Sequence, residues 1–275
     1  MISVVIPTYN RAGLLRKAVD SVLGQTFRDF ELIVVDDGST DETAGILSSY
    51  GGRLRAIRQE NKGPSAARNR GTGEARGELI AFLDSDDWWD PRKLEIQMGE
   101  MEKNPAYSVS HTQEVWYRQG KLLEQKKIHS KPHGFIFAQC LPLCCVSAST
   151  LVIRRSILEE AGGFDEGFPC CGDYDLWVRL SAQHPFLLVD KPLTGKDGGR
   201  PDQVSFRLRV GMDRYRIAAL EKILIRPGFL SAEQRELAMG EIEKKCRIYG
   251  KGCLKHGKEE EGRRYLELPG RLGRL

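Results

Sequence analysis

Apolar positions in the first hundred residues fall in short unbroken runs, each closing on polar residues. "ISVVIPTYN" is rich in β-branched side chains and ends in Pro-Thr-Tyr-Asn, the mark of a buried strand running out into a loop. "RAGLLRKAVDSVLGQ" switches to helical spacing, with Leu14, Leu15, Ala18, Val22 and Leu23 on one face. "FELIVVDDGSTDET" predicts a second apolar strand ending in acids, with Ser39 or Thr40 capping a helix through "TAGILSSY". "RLRAIRQ" predicts a short strand, "GPSAARNRGTGEA" a loop opening into a helix, and "ELIAFLDSDD" another buried strand.

This alternation predicts an α/β fold, with a mostly parallel central sheet flanked by helices. In such sheets ligands bind beyond the carboxyl ends of the strands. Three predicted strands end in "PTYNR", "DDGSTD" and "DSDD", so all three should meet along one edge.

From about Met101 the pattern loosens. "SVSHTQEVWYRQGKLL" predicts strands joined by a turn at Gln119-Gly120, and "VSASTLVIRRSILEEAGGFDE" a strand, a helix and a Gly-rich turn. "CCGDYDLWVRLSAQ" opens a helix with acids in its first turn, where the helix dipole favours them. After Arg209 the chain turns helical and charged. Residues 1–205 therefore form the expected main domain and 206–275 a small helical C-terminal appendage. That appendage is expected to pack on the main domain or on a second copy of the chain, giving a homodimer. Its basic end, "GRRYLELPGRLGRL", is either a solvated tail or a peripheral contact with anionic lipid.

Composition narrows the picture a little. In 275 residues, 40% are hydrophobic and 29% charged, which supports a packed core rather than disorder. A net charge of +4 is too mild to argue for nucleic acid, and no nucleic-acid partner is expected. No run reaches the ~18–20 apolar residues that span a bilayer. "MISVVIPTYNR" has no basic lead or cleavage-like site and reads as a first strand, so a cytoplasmic protein is the default expectation, at most touching the inner face of the membrane. The seven cysteines are odd in number, include two adjacent pairs and form no CxxC, which favours reduced thiols over zinc or disulfides.

The candidate chemistry centres on "LIAFLDSDDWWDP". Asp84 and Asp86 are two apart, so on an extended chain they face the same way. Crowded like charges are costly unless something positive sits between them. A divalent ion with oxygen ligands, Mg²⁺ or Mn²⁺, would fill that role and bridge to substrate phosphates.

The motifs "VVIPTYNR", "VVDDGSTDET", "NKGPSAARNRG", "FLDSDDWWDP" and "GGFDEGF…GDYDLWVRL" occur in that order. Together they resemble the family 2 glycosyltransferases of GT-A type fold, over roughly residues 1–205. The resemblance implies inverting transfer of a sugar from a nucleoside-diphosphate sugar to a hydroxyl of a glycan or lipid-linked acceptor, in surface-glycan assembly. It implies that Pro7, Thr8, Tyr9 and Arg11 touch the nucleotide, the Tyr9 ring facing the base and Arg11 the phosphates. Asp37 would accept a base N–H, which leans towards uracil and a UDP-linked donor, while Asp36 is structural. In the Gly-rich segment Gly63 lets backbone approach the nucleotide, and Lys62 or Arg68 offsets phosphate charge. "DSD" matches the metal-binding DxD: Asp86 would ligate Mn²⁺ or Mg²⁺, Asp84 would hold the ribose or assist, Ser85 would adjoin the donor, and Asp87 is left without a firm role.

Asp173 matches the general base, with Asp175 as the understudy. Here the family's usual Glu-Asp pair reads Gly172-Asp173, with Cys170 and Cys171 beside it. The downstream histidine of many relatives is absent, and Lys196 or Arg200 is the expected substitute. His111, His129, His133 and His184 have no metal-like spacing and are read as incidental. Two alternatives stay open: a nucleotidyltransferase, for which "PTYNRAG" is a poor triphosphate loop, and a non-catalytic sugar-nucleotide-binding relative.

Overall fold

The computed structural model describes residues 1–118, 120–200, 203–208 and 210–274. Gln119, in the predicted hairpin turn, lies outside the described residues. The first half alternates as expected: β1 (Ile2–Thr8), α1 (Ala12–Leu23), β2 (Phe30–Asp36), α2 (Thr43–Ser49), β3 (Arg55–Arg58), α3 (Pro64–Gly73) and β4 (Leu79–Phe82). The chain then runs through β5 (Asp87–Trp89), α4 (Lys93–Lys103), β6 (Val109–Arg118), β7 (Lys121–Leu123), α5 (Phe137–Cys140), β8 (Val152–Arg154), α6 (Arg155–Glu160), α7 (Gly172–Gln183) and β9 (Phe186–Asp197). The short α8 (Val204–Arg207) precedes three longer helices, α9 (Asp213–Leu224), α10 (Ala232–Lys255) and α11 (Glu259–Leu272).

The strands form one sheet in the order β3-β2-β1-β4-β8-β6-β9-β5, with β7 paired to β6. The four strands expected in the first hundred residues are mutually parallel, in the order β3-β2-β1-β4. Beyond β4 the sheet is mixed: β8 is antiparallel to β4 and β6, β9 is parallel to β6, and β5 is antiparallel to β9. β1 is buried along its whole length, as a central strand covered on both faces must be.

Two apolar clusters fill the two faces. One packs α1 and α2 against Ile2, Val4 and Ile6. The other joins Val5, Ile33 and Phe82 to α7 and continues into Leu220, Ile242 and Leu268 of the last helices. The C-terminal helices thus share a core with the sheet. The basic end does not fray among the described residues: α11 carries it as a helix, with Leu268 and Leu272 buried.

α2 differs locally from expectation. Neither Ser39 nor Thr40 caps it. The cap position is Glu42, whose side chain makes no capping bond, and Asp41 before it accepts from the Thr43 amide at 3.0 Å and the Thr43 hydroxyl at 2.6 Å. Ser39 instead donates its amide to Asp36 Oδ1 at 2.8 Å and accepts from the Asn10 amide, tying the ends of β1 and β2 together. No helix among the described residues is long and apolar enough to cross a membrane.

Candidate active site

The polar ends of β1, β2 and β4 do meet at one edge, around a cleft of about 690 Å³. Of the residues singled out in the sequence, Pro7, Thr8, Tyr9, Arg11, Asp37 and Gly63 line one part of it. Arg68, Asp84, Ser85, Asp86 and Asp173 line the remainder. Lys62 does not: its side chain is exposed outside the lining, and its amide donates to Asp37 Oδ1 at 2.9 Å. The loop holds that residue through its amide.

Asp37 is buried and organises this loop. It accepts from Gln59 Nε2 at 2.8 Å, the Lys62 amide and, at Oδ2, the Gly63 amide at 2.8 Å. Gly63 has φ +89°, a left-handed conformation that favours glycine, and it starts α3 directly over the cleft. Oδ2 keeps one lone pair for a ligand donor. Thr8 Oγ1, also in the lining, is buried with no partner among the described residues.

The three acids of "DSDD" come together by a different route from the one expected. They do not sit on extended chain. Asp84 to Asp87 form a tight turn closed by the Asp87 amide on the Asp84 carbonyl at 3.0 Å, and β5 begins at Asp87. The turn, not strand alternation, brings ligand atoms of Asp84, Asp86 and Asp87 within 4.8 Å of one another. An all-oxygen set this close fits a hard divalent cation.

Each acid also has a protein cation. Arg68 reaches Asp84 Oδ1 at 2.6 Å, Arg200 pairs with Asp86, and Lys196 Nζ lies 3.5 Å from Asp87. Burial would raise the Asp84 carboxyl, but Arg68, Lys196 and Ser149 hold it below the ordinary value. Asp87 is different: burial, aided by Asp86 and Asp84, pushes it up to about 8 against the pull of Lys196. Burial works against the Lys196 charge, yet Asp87, Glu114 and Asp84 keep it firmly protonated. Both Lys196 and Arg200 therefore stand where a downstream positive charge was expected.

Asp173 lies in the first turn of α7. It is not the helix cap; that position belongs to Cys171, which adopts a left-handed φ of 63°. Its Oδ2 accepts the Cys144 thiol at 3.3 Å. Asp175, two residues on, is fully buried between Arg179 at 2.7 Å and Lys222 of α9 at 2.8 Å. Asp175 is therefore a structural ion-network residue rather than a second base. Gly172 has a packing reason: a Cβ there would stand 2.4 Å from Ser65 Oγ, where α7 abuts α3.

Sequence reasoning missed Glu114, Lys131, Ser149 and Cys144. Ser149 donates to Asp87 Oδ2 at 2.6 Å and accepts the Asp84 amide, so it braces the acidic turn from the β8 side. His129, read as incidental, lines a cavity beside Asp84 and Asp173.

A parallel half-sheet whose strand ends converge on an acidic turn, extended by a mixed half-sheet, defines a GT-A type fold. The same fold occurs in the crystal structure of S. aureus TarS 1–349 in complex with UDP, which matches 88% of this chain and 71% of that chain at TM-score 0.67 and 21% identity. The description "Glycosyl transferase family 2" matches residues 3–162, and the chain belongs to that family. An uncharacterized glycosyltransferase of Rickettsia felis is 34% identical over 187 residues, covering 66% of this chain and 31% of that protein. The Escherichia coli protein "UDP-Glc:alpha-D-GlcNAc-diphosphoundecaprenol beta-1,3-glucosyltransferase WfgD" is 32% identical over 185 residues, covering 66% of this chain and 69% of that protein. The chain spans between 27% and 58% of the length of the first Rickettsia relatives it matches.

Proposed function

We propose that this chain transfers a sugar from a UDP-linked donor, with inversion, to a hydroxyl of a glycan or lipid-linked acceptor. One observation carries the reading: Asp173 lines the same cleft as the acidic turn and Lys196. That shared lining supports a base acting beside a diphosphate site.

In this account the nucleotide lies along Thr8, Tyr9, Arg11 and the Asp37–Gly63 loop. Asp86, with Asp84 and Asp87 beside it, would hold Mn²⁺ or Mg²⁺, which when bound offsets charge on the departing diphosphate. Arg200 and Lys196 supply further positive charge at that point, and the closeness of both to the acids supports this role. The acceptor oxygen attacks the anomeric carbon as the bond from that carbon to the diphosphate oxygen breaks. Asp173 takes the acceptor's proton, and UDP leaves with the electron pair.

The test is Asp173→Asn. Turnover of a UDP-sugar should fall about 10²- to 10⁴-fold, while UDP affinity stays as in the wild type. A variant that retains turnover contradicts the assignment of the base. A wild type that binds donor with no turnover points to a non-catalytic relative.

A further inference from the structure

Two smaller cavities meet the cleft at Asp173. One, of about 280 Å³, is bounded by Ser65, Cys144, Phe168, Cys171, Met212 and Arg216. The other, of about 260 Å³, is walled by Glu114, Trp116, His129, Lys131, Val146 and Ser147. Only the second also reaches Asp84 and Lys196.

Its walls come from the least patterned stretch of the sequence. Glu114 and Trp116 lie two apart on β6 and so share a face. β6 runs parallel to β9 with register shifts on either side of Gln113, after which Glu114 pairs with Thr194 and Trp116 with Lys196. This irregularity sets the two side chains beside the diphosphate end of the cleft; bulges commonly re-aim side chains next to active sites.

Glu114 is built for a ligand. Its side chain is only 2% exposed. Oε1 accepts from Trp116 Nε1 at 2.7 Å and from Lys131 Nζ at 3.1 Å. Oε2 is buried and has no partner among the described residues. A buried carboxylate oxygen without a donor is costly, and a retained one calls for a donor from elsewhere. Trp116, only partly buried, lies 4.8 Å from His129 with the rings tilted at 52°, so an aromatic surface stands beside that oxygen.

We propose that this cavity holds the sugar being transferred, with Glu114 accepting one of its hydroxyls and Trp116 covering one ring face. The assignment rests on the glycosyltransferase reading above. The transferred sugar is joined to the diphosphate on one side and attacked from the base's side on the other. Its cavity must touch Asp173 and the Asp84–Lys196 end together, and the 260 Å³ cavity does. The 280 Å³ cavity meets the base without Asp84 or Lys196, which leaves it to the acceptor. At 260 Å³ the sugar cavity is smaller than the ~300 Å³ at which drug-sized pockets begin, so it takes one ring. The three cations of the lining, Lys131, Lys196 and Arg216, are already engaged by Glu114, Asp87 and Asp213, so a sugar carboxylate at Glu114 would meet a like charge. The cavity therefore selects a neutral hexose over a uronate.

The experiment titrates UDP, UDP-glucose, UDP-N-acetylglucosamine and UDP-glucuronate, with Mn²⁺, into the wild type, Glu114→Gln and Trp116→Ala, and follows hydrolysis of each donor. UDP affinity should stay within about twofold in all three proteins. Hydrolysis of the neutral donors, and any tightening of them over UDP, should fall about tenfold or more in both variants. UDP-glucuronate should be the poorest donor of the wild type. Trp116→Ala keeps the Glu114–Lys131 pair and so covers the case in which Glu114→Gln does not fold. Neutral-donor hydrolysis that survives both substitutions, or a preference for the glucuronate, overturns the pocket assignment and leaves the nucleotide-sugar reading standing. Failure of the wild type to bind any of the four compounds overturns that reading itself.

Discussion

The Arg68 guanidinium donates to Asp84 Oδ1 at 2.6 Å, bridging helix α3 to the acidic turn. Arg68 is nearly buried and also lies over the Phe164 ring at 5.2 Å. Asp84 is partly exposed, so the pair is worth less than a fully buried one. Arg68→Gln should cost about 1–3 kcal/mol in urea unfolding. It should also weaken UDP binding, because the Asp84 charge loses its main support. An unchanged midpoint and an unchanged UDP affinity would contradict that role.

Asp173 and Asp175 share a helix turn but should respond oppositely to neutralisation. Asp175→Asn leaves the buried Arg179 without its carboxylate, while the partly exposed Lys222 keeps Asp165 at 2.6 Å. It should lower stability by about 3–5 kcal/mol, seen as a shifted denaturation midpoint, with activity lost only as the fold is lost. Asp173→Asn should leave the midpoint near the wild-type value and remove turnover.

The contact between Gly172 and Ser65 gives a paired test. Gly172→Ala places a methyl group 2.4 Å from Ser65 Oγ, so the hydroxyl must turn away or α7 must shift. Turnover should fall because Asp173 is the next residue. Adding Ser65→Ala removes the obstructing oxygen and should restore much of the loss. A double variant no better than Gly172→Ala would show that the glycine serves something other than this approach.

His111 gives a prediction about pH. It is buried, its Nε2 donates to the Pro132 carbonyl at 2.8 Å, and its Nδ1 has no partner among the described residues. Burial, with Lys131 adding to it, drives its pKa down to about 3. The native ring stays neutral while the unfolded chain takes a proton below about 6.5, so stability falls as pH drops from neutrality. Between pH 7 and 5 the wild type should lose about 2 kcal/mol more than His111→Gln. Equal losses in the two proteins would show that the ring charges in place.

How much of this was legible depends on which force sets each feature. β1, β2 and β4 are unbroken apolar runs, and burial on both faces leaves them little freedom to be anything else. Their polar ends had to meet, and Thr8, Asp37 and Asp84 do line one cleft. The convergence of Asp84 and Asp86 was anticipated from strand alternation, but a four-residue turn produces it, and the turn also draws in Asp87. Ser39 does not cap α2 because it is taken up by Asp36 and Asn10. Lys62 looked like a phosphate contact because its charge is visible in sequence and the demand of Asp37 for its amide is not. Glu114 and Lys131 are separated by a hairpin and by the irregularity at Gln113, and no periodicity encodes a meeting of that kind.

The central claim is that the acidic turn holds a cation with the diphosphate of a uridine nucleotide. Calorimetric titration of UDP, GDP and dTDP into the purified protein, first with Mn²⁺ and then with EDTA, tests it most directly. The account predicts that UDP binds most tightly, that EDTA abolishes the binding, and that Asp86→Ala abolishes it even with Mn²⁺ present. UDP binding that is indifferent to EDTA and to Asp86→Ala would contradict the claim and leave the diphosphate to the basic side chains of the cleft.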